Sequence, residues 1–401
     1  MEEMFSEDSK DELIEIEPNK KSFITCAKLN KYFFIPFLSP IFCMLTNFFL
    51  GKMTSTNVLK NLEFIGSIFL ELSYISGGLL HFTSYFRQKA KKIDKTQSRG
   101  IELIYNEKRK DYKNYKMLLL ITLLGFLLAL NQFIGIYTRG KILFNYRLYF
   151  LFFIPILSEF ILREKKYKHQ YLSLIIAIFG AALLFIPVCF EIGKADIIPN
   201  ILRFIYGFTY SLFIILIKYL INKYYISPLK LSIYFGIISI FLTSFGFIIY
   251  SLIKYHDLSM FGNLIDFSEA ENKGIAIIYI FSSFLFATIL QVLTLLSLFY
   301  FSPNLIIVTE SISPMLSWVV ETIQNYKSLI DVIVNPIVYS ILLFSSLIYN
   351  EIIILNFCGL SKNTKKFVEQ RVNKEEEQIE EANLSDNSQN NDMSLNNESD
   401  A

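Results

Sequence analysis

The stretch MLLLITLLGFLLALNQFIGIY, residues 117–137, decides the class of this chain. It contains no charged side chain, and apolar residues occupy nearly every helical face, with Thr122, Asn131 and Gln132 as the polar interruptions. About 20 such residues cross the hydrocarbon core of a bilayer as one helix. A helix buried in a soluble domain would keep a polar stripe for water, and this one has none.

Further runs of the same kind occur at 33–50, 64–86, 142–162, 171–190, 201–221, 231–253, 274–299, 305–323 and 337–355, so about ten spans are predicted. The first is interrupted early by Pro36 and Pro40. Composition agrees: 53% of the 401 residues are hydrophobic, 16% aromatic and only 18% charged, outside the balance of soluble domains. A net charge of +2 gives no basic field for nucleic acid. Cys26, Cys43, Cys189 and Cys358 are too scattered for a disulfide framework or a metal site and read as packing residues. Residues 1–21 show no basic n-region followed by an apolar core, so no cleavable signal peptide is expected.

Basic residues gather on the cytosolic side of a membrane protein. Counted over alternate connections, the segment 1–32, the loops 87–116, 163–168 and 223–230 and the C-terminal tail hold about 27 of the Lys and Arg, and the opposite set about 8. Both termini are therefore expected in the cytosol. The organisation predicted is a cytosolic segment 1–32, a first transmembrane unit 33–190 with the basic cytosolic loop 87–116, a second unit 201–360, and a tail 361–401. That tail is acidic and rich in Asn and Ser and is expected to be disordered.

Five spans followed by five invite comparison of the halves. The fourth run has Pro155 followed by Ser158, and the ninth has Pro314 followed by Ser317. Three stretches carry a wider similarity. One runs from Thr138-Arg139-Gly140-Lys141 through Pro155-Ile156-Leu157-Ser158-Glu159-Phe160 and Arg163-Glu164-Lys165-Lys166 to Gly180; the others are Lys223-Tyr224-Tyr225-Ile226-Ser227-Pro228 and Leu347-Ile348-Tyr349-Asn350-Glu351. On these residues the chain resembles the drug/metabolite transporter superfamily, and within it solute carrier family 35, which includes nucleotide-sugar transporters and orphan members. The resemblance implies an all-α integral membrane protein with ten helices in two inverted five-helix repeats. It also implies exchange or proton-coupled movement of a polar solute in an endomembrane: Golgi, endoplasmic reticulum or vacuole.

Ionisable and polar groups inside a span mark candidate sites, because lipid does not solvate them. Glu71 lies mid-span with Ser67, Tyr74 and Gly78 on the same helical face. It reads as a proton carrier, a partner for a cationic solute, or a structural hydrogen-bonding group. Asn131 and Gln132 offer amides to solute hydroxyls or to a neighbouring helix. Arg147, preceded by Asn145 and Tyr146, could clamp phosphate or carboxylate, or anchor at the membrane surface. Glu310, Pro314, Ser317 and Glu321 share one face of the ninth run, and Glu310 is the preferred carboxylate there. Gln291 would face Gln132 if the halves are related by pseudo-symmetry. Arg203, Lys218 and Glu159 lie near segment ends and read as snorkelling side chains.

His81, His169 and His256 have no ligand or catalytic spacing, so neither an enzyme nor a cofactor is expected. The expected partners are a small solute, the bilayer and, in a homodimer, a second copy. Arg147 points to an anionic solute; Glu71 and Glu310 point to proton coupling or a cationic one. Both readings stay open.

Overall fold

The computed structural model describes residues 24–26, 34–55, 62–90, 115–138, 149–164, 166–191, 197–224, 226–256, 273–306, 329–355 and 360–364, with isolated positions at 312, 315, 316, 319, 367, 368 and 371. They are mostly helical. In chain order the helices are α1 (Phe34–Ser55), α2 (Leu62–Ala90), α3 (Tyr115–Tyr137), α4 (Phe150–Leu162), α5 (Lys168–Glu191), α6 (Ile197–Tyr224), α7 (Pro228–Tyr255), α8 (Lys273–Tyr300) and α9 (Leu329–Tyr349). Five of them, α2, α3, α6, α7 and α8, contain stretches long and apolar enough to cross a membrane.

The chain divides into two units. The larger comprises Leu29–Lys166 and Gln170–Asn350, and the smaller comprises Met1–Lys28, Tyr167–His169 and Glu351–Ala401. In the smaller unit, β1 (Ile24–Cys26) pairs antiparallel with β2 (Ile353–Leu355), Ile24 opposite Leu355, and the Leu355 amide donates to His169 Nε2 at 3.2 Å. This corrects the expectation that the tenth span continues to residue 355. The helix ends at Tyr349, and Glu351 takes a left-handed conformation at φ 56°. Ile352, Ile353 and Ile354 follow, β-branched residues that suit an extended pairing.

In the larger unit, polarity is distributed opposite to that of a soluble protein. On α7 the outward residues are Ile237, Phe241, Phe245 and Ile253, whereas Ser232, Ser239, Thr243 and Ser251 are fully buried. An apolar exterior over a hydroxyl-bearing interior is stable where the surrounding solvent is lipid. Glycines let the helices approach. A Cβ on Gly125 would stand 2.5 Å from Ile238, and one on Gly207 2.5 Å from Tyr149. An aromatic and aliphatic core built on Leu124, Leu128, Phe213, Ile217, Leu220 and Phe235 fills the space among α3, α6 and α7.

The principal pairings are α1 with α8, α2 with α7 and α8, α3 with α6 and α7, and α4 with α6. Helix α5 meets α9 more narrowly, through Ser173 and Ser345 and in the apolar cluster that holds Ala177 and Leu342. Contacts give each pair a direction. Phe42 meets Phe286 while Phe49 reaches Tyr279, so α1 and α8 are antiparallel. Tyr74 meets Ser232 and Phe64 meets Phe247, so α2 and α7 are antiparallel as well. Gly125 meets Phe235 and Phe133 meets Phe247, which makes α3 and α7 parallel. Asn131 with Thr209 and Gly135 with Arg203 make α3 and α6 antiparallel. Phe69 with Phe284 and Gly77 with Val292 make α2 and α8 parallel. Tyr149 with Phe204 and Phe153 with Phe208 align α4 with α6, whereas Ser173 with Ser345 and Gly180 with Ile341 oppose α5 to α9.

Candidate functional site

Glu71 stands on the face of α2 that also buries Ser67, Tyr74 and Gly78. That stripe is the packed surface against α7. Gly236 of α7 lies against the Glu71 carbonyl and Ile75, where a Cβ would stand 3.5 and 2.9 Å away, so the two backbones come close. Ser239 and Thr243, one turn apart on α7, then reach across. Both donate to Glu71 Oε1, at 2.6 and 2.5 Å.

The second oxygen, Oε2, is buried with no hydrogen-bond partner, and the side chain has 0% exposure. Among the described residues no cation pairs with it. Burying an ionised carboxylate costs several kcal/mol unless charge or further donors compensate. Two hydroxyls on one oxygen compensate in part and leave one oxygen open for a proton or a ligand donor.

A second polar layer joins α3 to α6. Asn131 Oδ1 accepts from Thr209 Oγ1 at 2.6 Å, while its Nδ2 is buried without a partner. Arg203, expected to snorkel, is only 7% exposed and lies inside. Its Nη2 donates to the Gly135 carbonyl at 3.4 Å, and the guanidinium sits 5.5 Å from the Tyr206 ring centroid. A planar guanidinium stacks on an aromatic face at little desolvation cost, which makes this position tolerable.

Lys218 also departs from expectation. Its Nζ donates to the carbonyls of Leu298, Phe299 and Phe301 at 2.8, 3.4 and 3.0 Å, capping the end of α8. Glu159 is exposed and pairs with Lys166 at 2.8 Å.

The remaining candidates divide. Tyr74 is packed edge-on against Phe213 and Phe235 and its carbonyl accepts from Ser232, so it sits in the core beside Glu71. Gln291 is buried on the α8 face that also buries Ser283 and Ala287, and Gln132 is half-buried on α3. Tyr146, Arg147, Glu310 and Ser317 lie outside the described residues.

Sequence reasoning passed over Ser239 and Thr243. Their signal is Ser232, Gly236, Ser239, Thr243, Gly246 and Ser251 recurring at helical spacing in an otherwise apolar run, a hydroxyl and glycine stripe that lipid would not select.

No protein-family model matches the chain, and no curated protein sequence matches it.

Proposed function

We propose that this protein is a transmembrane carrier of a small polar organic solute, working by alternating access between two five-helix repeats of opposite orientation. The pattern of helix pairing carries this reading. Numbering the apolar runs from one to ten, α1 to α8 are the first eight and α9 is the tenth. Exchanging the first five for the last five sends α1–α8 into α6–α3 and α3–α7 into α8–α2, while α2–α7 and α5–α9 map onto themselves. Each pair's direction also obeys the parity of a chain that crosses at every run: odd with even is antiparallel, and like with like is parallel. Ten crossings with both termini on the basic-loop side fit these directions, and inverted repeats around a central site are a common carrier design.

On this reading Glu71 lies at the self-paired α2–α7 contact, where the two repeats meet. It exchanges a proton through Oε2 as the repeats rock, and Asn131 with Arg203 supplies donors for an anionic or hydroxylated solute. The resemblance to drug/metabolite transporters and solute carrier family 35 supports the same reading and favours an endomembrane.

Reconstitution into proteoliposomes tests it. Uptake of at least one member of a panel of nucleotide-sugars, nucleotides, organic acids and amino acids is expected, its response to a proton gradient lost in Glu71→Gln. Background uptake for the whole panel, with and without a proton gradient, would favour the competing reading, a membrane scaffold in which Glu71 only ties α2 to α7.

A further inference from the structure

We propose that Glu164, Lys218, Asn304 and Asn350 form a polar latch that holds shut one end of the larger unit, the end bearing the basic loops, and that parts when a solute path opens there. The proposal rests on the carrier reading above. It begins with the way α4 ends. Arg163 adopts a left-handed conformation at φ 57°, its amide and that of Glu164 both turn back to the Ser158 carbonyl, and the chain is thereby reversed. Glu164 is left facing the turn after α8.

There Asn304 Nδ2 donates to Glu164 Oε2 at 3.0 Å. The Asn304 carbonyl in turn accepts from Asn350 Nδ2 at 3.1 Å, just past α9. Lys218 of α6 holds the three carbonyls at the end of α8, and the Glu164 charge reaches its ammonium. The ends of α4, α6, α8 and α9 are thus tied together by polar bonds that lie beside the apolar cluster containing Leu220, Ile221, Leu298 and Ile306.

Two features mark a contact built to open. First, Asn304 Oδ1 and the Tyr349 hydroxyl are buried in it without partners. Permanently buried networks are normally satisfied, and an incomplete one makes closure only marginally favourable. Second, the α6–α8 contact breaks the exchange pattern. Its image, α1 with α3 at the opposite end, is not of like extent among the described residues. In a carrier of inverted repeats the two ends are images of one another, so a contact more extensive at one end than its image among the described residues marks the closed side.

The test uses a chain whose four native cysteines are replaced by alanine and which carries Ser297→Cys, a buried reporter one turn before the end of α8. Labelling by a charged maleimide is timed in lightly permeabilised vesicles. Asn304→Asp sets acid against acid and should speed labelling about tenfold, the effect of losing one charge-assisted hydrogen bond. Adding Glu164→Gln restores a donor and an acceptor in reversed order and should bring the rate back to within about twofold of the parent. A size-exclusion profile of the single variant matching the parent's shows that the faster labelling comes from a folded protein.

An unchanged rate in Asn304→Asp, or a reversed pair as fast as the single variant, would overturn the latch. Responsive labelling in a chain that takes up no solute would refute carriage and leave the latch standing. Unresponsive labelling in an active carrier would refute the latch alone.

Discussion

The Glu71 carboxyl and the Ser239 hydroxyl are hydrogen-bonded at 2.6 Å across the antiparallel crossing of α2 and α7, though 168 residues separate them in sequence. Thr243 joins from the next turn, and Gly236 keeps the helices close enough for short side chains to reach. The bond therefore depends on three features of α7 acting together.

Glu71→Gln keeps an acceptor for both hydroxyls but places a fixed amide where Oε2 stands. We expect a folded protein, destabilised by about 1–3 kcal/mol through the new buried donor. Solute uptake should no longer respond to an imposed proton gradient. Paired measurements of thermal unfolding in detergent and of uptake with and without the gradient check both parts.

Removing the hydroxyls tests the same contact from α7. Ser239→Ala and Thr243→Ala each leave one donor on Oε1, and either should cost about 0.6–2 kcal/mol, the range for bonds between helices in lipid. The double variant strips both donors and should cost more than the sum of the two. In a Glu71→Leu background the same substitutions should cost almost nothing, which a double-mutant cycle on unfolding temperatures will read.

The helix crossings predict a sharp contrast between glycines. Gly125→Leu forces atoms into Ile238 and the Phe235 carbonyl, with an expected cost of about 1–3 kcal/mol and a lower folded yield. Gly135 has nothing within 4 Å of an added Cβ. Gly135→Ala should raise stability by about 0.4–1 kcal/mol through helix propensity and a less flexible unfolded chain. Size-exclusion profiles and unfolding temperatures compare them directly.

Asn131 and Thr209 separate packing from recognition. Replacing both, by Asn131→Leu with Thr209→Val, removes the 2.6 Å bond together with the orphaned Nδ2, so stability should change by less than about 1 kcal/mol. If Asn131 serves a solute, the apparent KM should nevertheless rise. Unchanged uptake kinetics in a stable double variant would assign the pair to helix packing.

Much of this protein was legible before any coordinates. Uninterrupted apolar runs such as residues 117–137 fix a helix whenever the solvent is lipid, since the backbone must satisfy its polar groups within the segment and the run lacks the alternation of a barrel strand. The stripe of Ser67, Glu71, Tyr74 and Gly78 was likewise readable, because helical periodicity alone puts those residues on one face. What that face touches was not readable. Ser239 and Thr243 look like ordinary small residues until α7 is laid antiparallel on α2.

Arg203 and Lys218 show the same division more sharply. Position near a segment end suggests a side chain reaching for water, yet one stacks on Tyr206 and the other caps α8. Residues 353–355 extend an apolar run, yet they leave the helix to pair with Ile24–Cys26. Local composition determined that these segments are helical and membrane-compatible, for that depends on each residue and its near neighbours. Which polar groups meet is a matter of contacts between segments far apart in the chain, and only the packed arrangement of the helices decided it.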